Sequence, residues 1–138
     1  MIKGVIAGAF DVIHPGYVQM FNIASKQCDD LTVLLHEDPS IERPEKLKPI
    51  LSTLERIEIL LALKTVKSVR TYKTEQDLYN ILSTSNYNIR FQGIDYQEKS
   101  FTGDNLSIPI FWIPRNHGWS TTKFKKLIAE SYEKSRNS

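Results

Sequence analysis

The chain has 138 residues, of which 41% are hydrophobic and 25% are charged, as is typical of one globular domain with a core of ordinary size. The net charge of +2 is too small to favour nucleic acid or an anionic membrane as a partner. A single cysteine, Cys28, excludes an internal disulfide bond, and we see neither a signal peptide nor an apolar run that could span a bilayer. We therefore expect a cytoplasmic protein.

Short apolar runs alternate with helical spacings from the start of the chain. Residues 5–7 predict a first strand, and apolar residues recur at helical spacing from Tyr17 to Cys28. Residues 31–35 form a continuous apolar run, which predicts a second strand buried on both faces. The next segment, 36–49, holds three prolines and shows no periodicity, so it is predicted to be a long loop.

The next two helices are predicted from capping patterns. Ser52 and Glu55 form a capping-box pattern in front of an apolar face predicted to consist of Leu54, Ile57, Leu60 and Leu61. Residues 68–72 predict a weaker third strand. Thr74 is predicted to cap a helix whose inward residues are Leu78, Ile81 and Leu82.

Two strands and one helix are predicted for the last part of the chain. The strands cover residues 88–92 and 108–113, and the loop 93–106 joins them. Ser120 is predicted to cap the last helix, whose inward residues would be Phe124, Leu127 and Ile128.

Strands that alternate with helices favour a parallel sheet with helices on both faces. The predicted fold is a single α/β domain with a doubly wound, Rossmann-like parallel sheet of about five strands. We expect one domain over residues 1–138, with a core over 1–131 and a frayed tail over 132–138. Ligands of such sheets bind beyond the carboxyl ends of the strands. Four unusual segments follow predicted strand ends: 8–16, 36–49, 93–103 and 114–122.

The first candidate motif runs from Gly8 to Tyr17 and reads GAFDVIHPGY. Its glycines permit close approach of the backbone to a ligand, and the following helix offers free N–H groups and a positive dipole end to a phosphate. His14 would lie at the start of that helix, where its ring can donate to a phosphoryl oxygen. The alternative is a tight turn whose histidine is satisfied within the protein, and spacing alone does not separate the two.

The second candidate motif begins at Arg115 and reads RNHGWSTTKFKK. Residues 120–122 offer three hydroxyls and free backbone N–H groups to anionic oxygens, while Arg115 and Lys123 supply positive charge. Taken alone, the pattern favours the alternative of a well-capped basic helix. His117 is predicted to be a surface residue without a role. Trp112 and Trp119 are predicted to be core or base-stacking residues, and only Trp119 is placed for stacking on a base.

Together, the two motifs resemble the signatures of the cytidylyltransferase family in the nucleotidyltransferase superfamily. The pattern G-x-F-D-x-x-H-x-G occupies residues 8–16, and R-x-x-G-x-S-T-T-K occupies residues 115–123. The resemblance runs from about residue 2 to about residue 128, and the glycerol-3-phosphate cytidylyltransferases look most similar. It includes two further pairs, which are Lys48 with Arg56 and Gly93 with Asp95.

The resemblance implies that a substrate phosphate attacks the α-phosphorus of CTP and releases pyrophosphate, a reaction in which positioning and charge neutralisation carry most of the rate. It implies Mg²⁺ that is held mainly by phosphates rather than by side chains, and a homodimer. The implied partners are CTP and a small phosphorylated acceptor such as glycerol 3-phosphate or a sugar or polyol phosphate. The implied nucleotide-binding residues are Ala9, Phe10, His14, Gly16, Tyr17, Gly93, Asp95, Arg115, Ser120, Thr121, Thr122 and Lys123.

The long loop after the second strand is the predicted acceptor site. Lys46 and Lys48 would point the same way in an extended backbone and could bridge the two phosphates being joined. Asp11, His36 and Arg56 complete the predicted acceptor-binding set. The simpler alternatives are a solvated loop, a strand-end histidine and an aspartate that braces the turn. The predicted catalytic residues are His14, Lys46, Lys48 and Arg115.

One position departs from the family pattern, because Tyr17 stands where the family has a second histidine. Loss of a charged donor to developing phosphate charge costs about 2–4 kcal/mol, or ~10²–10³ in rate. Tyr17 also shares an apolar stripe with Met20 and Phe21, so it can simply pack. The chain is then a slow enzyme, an enzyme with a compensated site, or a silent nucleotide-binding protein. An adenylyltransferase of a phosphorylated cofactor such as FMN is the other enzymatic alternative.

Overall fold

All the predicted strands and helices are present in the computed structural model, which describes residues 1–137. The strands are β1 (Lys3–Gly8), β2 (Asp30–His36), β3 (Ser68–Tyr72), β4 (Ile89–Gly93) and β5 (Ile110–Ile113). The helices are α1 (Pro15–Ser25), α2 (Thr53–Ala62), α3 (Glu75–Thr84) and α4 (Thr121–Arg136), with a 3-10 turn at Ile94–Tyr96. The strands form one five-stranded sheet in the order β3-β2-β1-β4-β5, and every pair is parallel.

Helices cover both faces of the sheet, as predicted. Successive residues of a strand point to opposite faces, so Ile6 joins one core and Val5 joins the other. The first core contains Phe21 of α1 and Leu60 of α2, and the second contains Leu78 of α3. Strands that are covered on both sides read as continuous apolar runs, which confirms the interpretation of β1 and β2.

The predicted helix starts are confirmed by their hydrogen bonds. Ser52 Oγ accepts from the Glu55 N–H at 3.1 Å, and Glu55 Oε1 accepts from the Ser52 N–H at 2.8 Å. Thr74 forms the same reciprocal pair with Asp77 in front of α3. The Ser120 hydroxyl accepts from the backbone N–H of Lys123 and caps α4. These signals are local, which is why the sequence alone could locate them.

The predicted apolar face of α2 is wrong at two positions. Leu54 is 78% exposed and Leu61 is 51% exposed, whereas the buried residues of this helix are Arg56 and Leu60. Residues four apart share one side of a helix, so burial of Arg56 and Leu60 turns Leu54 and Leu61 outward.

The last helix is longer and more exposed than predicted. Leu127 and Ile128, expected to face inward, are 56% and 50% exposed. The helix continues to Arg136, so residues 132–136 are helical rather than frayed, and Ser138 lies outside the described residues. Its last turn carries Lys134 and Arg136, and cations there stabilise a helix through its dipole. Like every other helix within residues 1–137, α4 is too short or too polar to cross a membrane.

The strand order reverses between β1 and β4, which are neighbours in the middle of the sheet. The chain leaves β1 toward α1 on one face, and it leaves β4 toward a loop that packs on the other face through Leu106 and Ile108. A crevice opens where two such connections diverge, and this is where ligands of open α/β sheets bind. The first candidate motif and the segment that begins at Gly93 therefore meet at the switch point.

Candidate active site

A cleft of about 340 Å³ opens at the carboxyl ends of β1 and β4. Its walls come from the β1–α1 turn, α1, the end of β4 and the segment that follows β5. The predicted site residues that line it are Ala9, Phe10, His14, Gly16, Tyr17, Lys46, Gly93, Asp95 and Arg115. Two motifs at opposite ends of the chain thus contribute to one cavity.

His14 is held at the entrance to α1 by its own ring. Its Nδ1 accepts from the backbone N–H of Gly16 at 3.1 Å, which makes His14 the N-cap of the helix. A neutral ring whose Nδ1 accepts carries its proton on Nε2. That nitrogen lies 3.5 Å from Thr121 Oγ1 of α4. The ring is stacked between Tyr17 and Trp119, with centroid distances of 4.2 Å and 5.7 Å. Nε2–H is therefore an oriented donor.

The surroundings of His14 favour its neutral form. Burial lowers the pKa of the imidazole, and the positive charges of His117 and Arg115 lower this pKa further. At neutral pH the group is thus a neutral Nε2–H donor, and a bound anion would offset the repulsion from Arg115.

Gly16 is required by the packing of aromatic rings. A Cβ atom at this position would lie 2.7 Å from His117 Cε1, 2.8 Å from Trp119 Cβ and 2.9 Å from His14 Cε1. Any side chain here would therefore separate the β1–α1 turn from the segment that precedes α4. This glycine allows the two motifs to come together.

His117 has a place in the site that the sequence analysis did not assign. It lines the cleft, and its Nδ1 accepts from the backbone N–H of Trp119 at 3.1 Å. His14 makes the same bond to the residue two positions ahead. The sequence feature that could have indicated this role is the position of His117 after the end of β5, within the second motif. Sequence patterns did not identify the remaining lining residues, because residues of α1, of β4 and of the turn after β4 look like ordinary core or surface positions. They include Gln19, Met20, Ile23, Gln92 and Tyr96.

Tyr17 joins α1 to the start of α4. Its hydroxyl lies 2.5 Å from Thr121 Oγ1, so the Thr121 hydroxyl lies between Tyr17 and His14. The ring also packs edge-on against Phe10 at a centroid distance of 5.2 Å. Burial raises the pKa of the phenol, which keeps it neutral. Tyr17 therefore both packs, as one alternative predicted, and lines the cleft.

Arg115 and Asp95 form an ion pair at the rim of the cleft. Arg115 also donates to the backbone carbonyl of Trp119 at 3.4 Å. Both side chains are partly exposed, so a phosphate could reach the guanidinium by competing with the carboxylate. The arginine of the second motif and the aspartate that follows β4 thus lie together at the rim of the cleft.

The two lysines of the predicted acceptor loop do not act as a pair. Lys46 lines the cleft, but Lys48 is not part of its lining. The backbone N–H of Lys46 donates to the Arg43 carbonyl at 2.9 Å, which closes a turn, so the loop is not extended. The expectation that both side chains point the same way is therefore corrected, and only Lys46 reaches the cleft.

Asp11 braces three segments and does not face an acceptor. It is 3% exposed, and its carboxylate accepts from the backbone N–H groups of Ile50 at 2.8 Å and Leu51 at 2.9 Å. Lys125 Nζ of α4 lies 2.5 Å from the same carboxylate. Burial alone would raise the pKa of Asp11, but the bonds from Lys125, Ile50 and Leu51 outweigh it and hold the pKa below its ordinary value. The bracing alternative is thus the one that the structure supports.

Arg56 and His36 are also structural, which corrects their predicted acceptor-binding role. Arg56 is 2% exposed. Its guanidinium donates to the backbone carbonyls of Ala9, His36, Glu37 and Leu51. The His36 ring stacks on Tyr72 at 4.5 Å, and its Nε2 lies 3.2 Å from the Lys73 carbonyl. Their hydrogen-bonding groups are engaged within the protein, because buried polar groups need partners there.

The first turn of α4 is more engaged within the protein than predicted. The hydroxyl of Ser120 caps its own helix, and that of Thr121 contacts Tyr17 and His14. Thr122 and Lys123 are exposed and do not line the cleft. Within residues 1–137, no three His, Cys, Asp or Glu side chains lie close enough together to hold a metal ion.

A parallel sheet whose switch-point cleft gathers a capping histidine, an arginine and a lysine is typical of α/β proteins that bind phosphorylated ligands. The family model described as cytidylyltransferase-like matches residues 5–89, and the chain belongs to this family of nucleotidyltransferases.

Two curated relatives agree with this assignment. The bifunctional protein HldE of Hyphomonas neptunium is 32% identical over 133 residues, which are 93% of this chain and 26% of HldE. An FAD synthase of Thermococcus sibiricus is 27% identical over 138 residues, which are 96% of this chain and 93% of that enzyme. The chain thus spans about a quarter of the HldE relative but nearly all of the FAD synthase.

A solved structure shares the fold. The lipopolysaccharide core biosynthesis protein from Thermoplasma volcanium GSS1 superposes with a TM-score of 0.64 at 21% identity, over 87% of this chain and 99% of that chain. This similarity supports the single α/β domain and its sheet.

Proposed function

We propose that this protein transfers CMP from CTP to a small phosphorylated acceptor, such as glycerol 3-phosphate or a sugar or polyol phosphate, and releases pyrophosphate. The observation that carries the proposal is the convergence of His14, Lys46 and Arg115 on one cleft at the switch point of the sheet. An oriented N–H donor and two cations suit a substrate that carries several phosphate charges.

In the proposed reaction, an acceptor phosphate oxygen attacks the α-phosphorus of CTP. The new P–O bond forms as the bond from the α-phosphorus to the bridging oxygen breaks, and pyrophosphate leaves with that electron pair. Such a transfer asks for positioning and charge stabilisation more than for covalent chemistry. His14 would donate from Nε2, Arg115 would exchange Asp95 for the leaving phosphates, and Lys46 would bind the acceptor phosphate.

Mg²⁺ belongs to this proposal as a partner of the nucleotide. Asp11 is paired with Lys125, and within residues 1–137 no three His, Cys, Asp or Glu side chains lie close enough together to hold the ion, so phosphate oxygens would supply most ligands. The ion would neutralise phosphate charge when bound. A cytoplasmic homodimer is the setting that we propose for the enzyme.

A second candidate function is adenylyl transfer from ATP to FMN. It is favoured by the FAD synthase relative, of whose length this chain covers 93%. FAD consists of FMN joined to AMP through their phosphates, so the bond formed is the same type as in the first proposal. The two candidates differ in the base and in the acceptor, and the same phosphate contacts serve both.

Thermal stabilisation by CTP and by ATP shows which nucleotide base the site prefers. We expect CTP with Mg²⁺ to raise the melting temperature by about 10 °C at a hundredfold excess over its Kd, because a ligand that binds only the folded state stabilises it by about 2.7 kcal/mol at that concentration. ATP with Mg²⁺ at the same concentration is expected to give a smaller shift, as measured by differential scanning fluorimetry.

Pyrophosphate release is then measured with CTP and ATP against glycerol 3-phosphate, sugar phosphates and FMN. An ATP shift equal to or above that of CTP, together with turnover of FMN, would select the second candidate. Stabilisation by a nucleotide without turnover of any acceptor would select a silent nucleotide-binding protein.

The hydroxyl of Tyr17 is expected to matter for catalysis through Thr121. Tyr17→Phe removes the bond between them, and a neutral hydrogen bond contributes about 1 kcal/mol, so we expect turnover to fall about 5-fold. Tyr17→His is expected to lower turnover as well, because the shorter imidazole gives up the packing against Phe10. Both variants are assayed by pyrophosphate release, with melting temperatures measured in parallel.

The two variants separate the alternatives for this position. A rise in turnover with Tyr17→His would mean that the site lacks a charged donor and that tyrosine is a catalytic compromise. A fall in both variants would mean that the site has been rebuilt around the phenol, which is the compensated enzyme.

A further inference from the structure

Helix α4 is attached to the domain mainly through its first two turns. None of residues 121–136 is buried, and Leu127, Ile128 and Tyr132 are all exposed. Lys125 is the exception among the charged residues of this helix, because its side chain is only 13% exposed and its Nζ lies 2.5 Å from Asp11 Oδ2. The neighbouring Lys126 is exposed and provides a natural comparison.

The carboxylate that Lys125 contacts joins three segments. Asp11 itself follows β1, and it accepts from the N–H groups of Ile50 and Leu51, which end the loop that also carries Lys46. A buried carboxylate with two N–H donors and one ammonium group is fully partnered, and removal of one partner leaves its charge under-compensated. Lys125 thereby ties α4 to the β1–α1 turn and to the acceptor loop at one point.

The first turn of α4 depends on this attachment for its position. Thr121 precedes Lys125 by four residues and therefore lies on the same side of the helix. Its hydroxyl contacts both Tyr17 and His14, so the face of α4 that Lys125 anchors is the face that packs on these two residues of the cleft. Displacement of this face would disturb the surroundings of the His14 donor.

We propose that Lys125 is a positioning residue, which through Asp11 holds the N-terminal turns of α4 against the β1–α1 turn and keeps the nucleotide site assembled. The effect of Lys125 on catalysis rests on the proposed function. The role itself is new, because Lys125 lies outside the cleft. Lys125 contacts no substrate in this arrangement and acts only through Asp11 and α4.

The kinetic test compares Lys125→Met with Lys126→Met, which removes the same charge one residue away. We expect Lys125→Met to raise the KM for CTP about 10-fold and to lower kcat about 5-fold, because a displaced α4 loosens the nucleotide site and also disturbs the contacts of Thr121 with Tyr17 and His14. Lys125→Arg, which keeps the ion pair with Asp11, is expected to restore most of the wild-type KM. A lower melting temperature with an unchanged KM would mean that Lys125 is merely structural and would overturn the proposal.

Hydrogen exchange of the ligand-free protein supplies a test that needs no activity. Amides of residues 124–129 are expected to exchange at least 10-fold faster in Lys125→Met than in Lys126→Met, and equal exchange in the two variants would refute the anchor. If Lys125→Met does not fold, Lys125→Gln replaces it in both tests. Wild-type protein that neither binds nor turns over any nucleotide would end the proposed function, while the exchange experiment would still decide whether Lys125 anchors α4.

Discussion

Replacing His14 by asparagine is expected to lower turnover about 10²- to 10³-fold, and to lower the melting temperature only through the loss of ring packing against Tyr17 and Trp119, since the cap of α1 is kept. Asparagine is among the best N-cap residues, so its side chain can still accept from the Gly16 N–H and start α1. It has no group that reaches the place of Nε2 beside Thr121. Removal of one preorganised donor to developing charge typically has an effect of this size. Pyrophosphate release under saturating CTP measures it.

His14→Ala is the matched comparison, because it removes the donor and the cap together. We expect a similar loss of turnover and an additional loss of about 1 kcal/mol in the free energy of unfolding. Asparagine with nearly wild-type turnover would mean that His14 is only the cap of α1, as in the alternative that spacing could not separate. The two variants therefore distinguish a helix cap from a phosphate donor at the same residue.

The fold could be predicted as far as its signals were local. Caps at Ser52, Thr74 and Ser120 are defined by neighbours within three residues, and buried strands are visible as apolar runs. The inner face of α2 was predicted wrongly because an arginine occupies it. Arg56 is buried because its guanidinium donates to the backbone carbonyls of Ala9 and His36, which are distant in the sequence. No periodicity within the helix could show this.

The site was predictable where a motif follows a strand, because parallel strands bring their carboxyl ends to one edge. This placed His14, Lys46 and Arg115 in one cleft. The roles of the other candidate residues depend on hydrogen-bond and ion-pair partners that lie far away in the sequence. A charged or polar residue near a strand end can face the cleft or satisfy the protein's own groups, and His36 does the latter by bonding the Lys73 carbonyl. Lys125 is one of three lysines at the start of α4, and only its distant partner, Asp11, distinguishes it from the other two.

Replacing Arg115 by alanine is expected to weaken CTP binding about 30-fold. A charge-assisted hydrogen bond contributes about 1.5–3 kcal/mol, and the half-exposed position of this side chain favours the lower part of that range. The loss is increased because Asp95, which Arg115 now neutralises, would remain as an unpaired negative charge beside the phosphates. Isothermal titration calorimetry with CTP and Mg²⁺ measures the affinity, and the difference is expected to shrink as salt is raised.

Arg43 provides the matched control for this experiment. It is an arginine of similar exposure, paired with Glu75 at 3.5 Å, and it does not line the cleft. Arg43→Ala removes the same net charge and a comparable ion pair, so it accounts for any general effect on a polyanionic ligand. We expect it to change the affinity less than 2-fold, because a surface pair contributes little. Equal affinities for the two variants would mean that the second motif is only a capped basic helix and not part of the nucleotide site. A loss of affinity confined to Arg115→Ala would place the phosphates between the two motifs that Gly16 allows to meet.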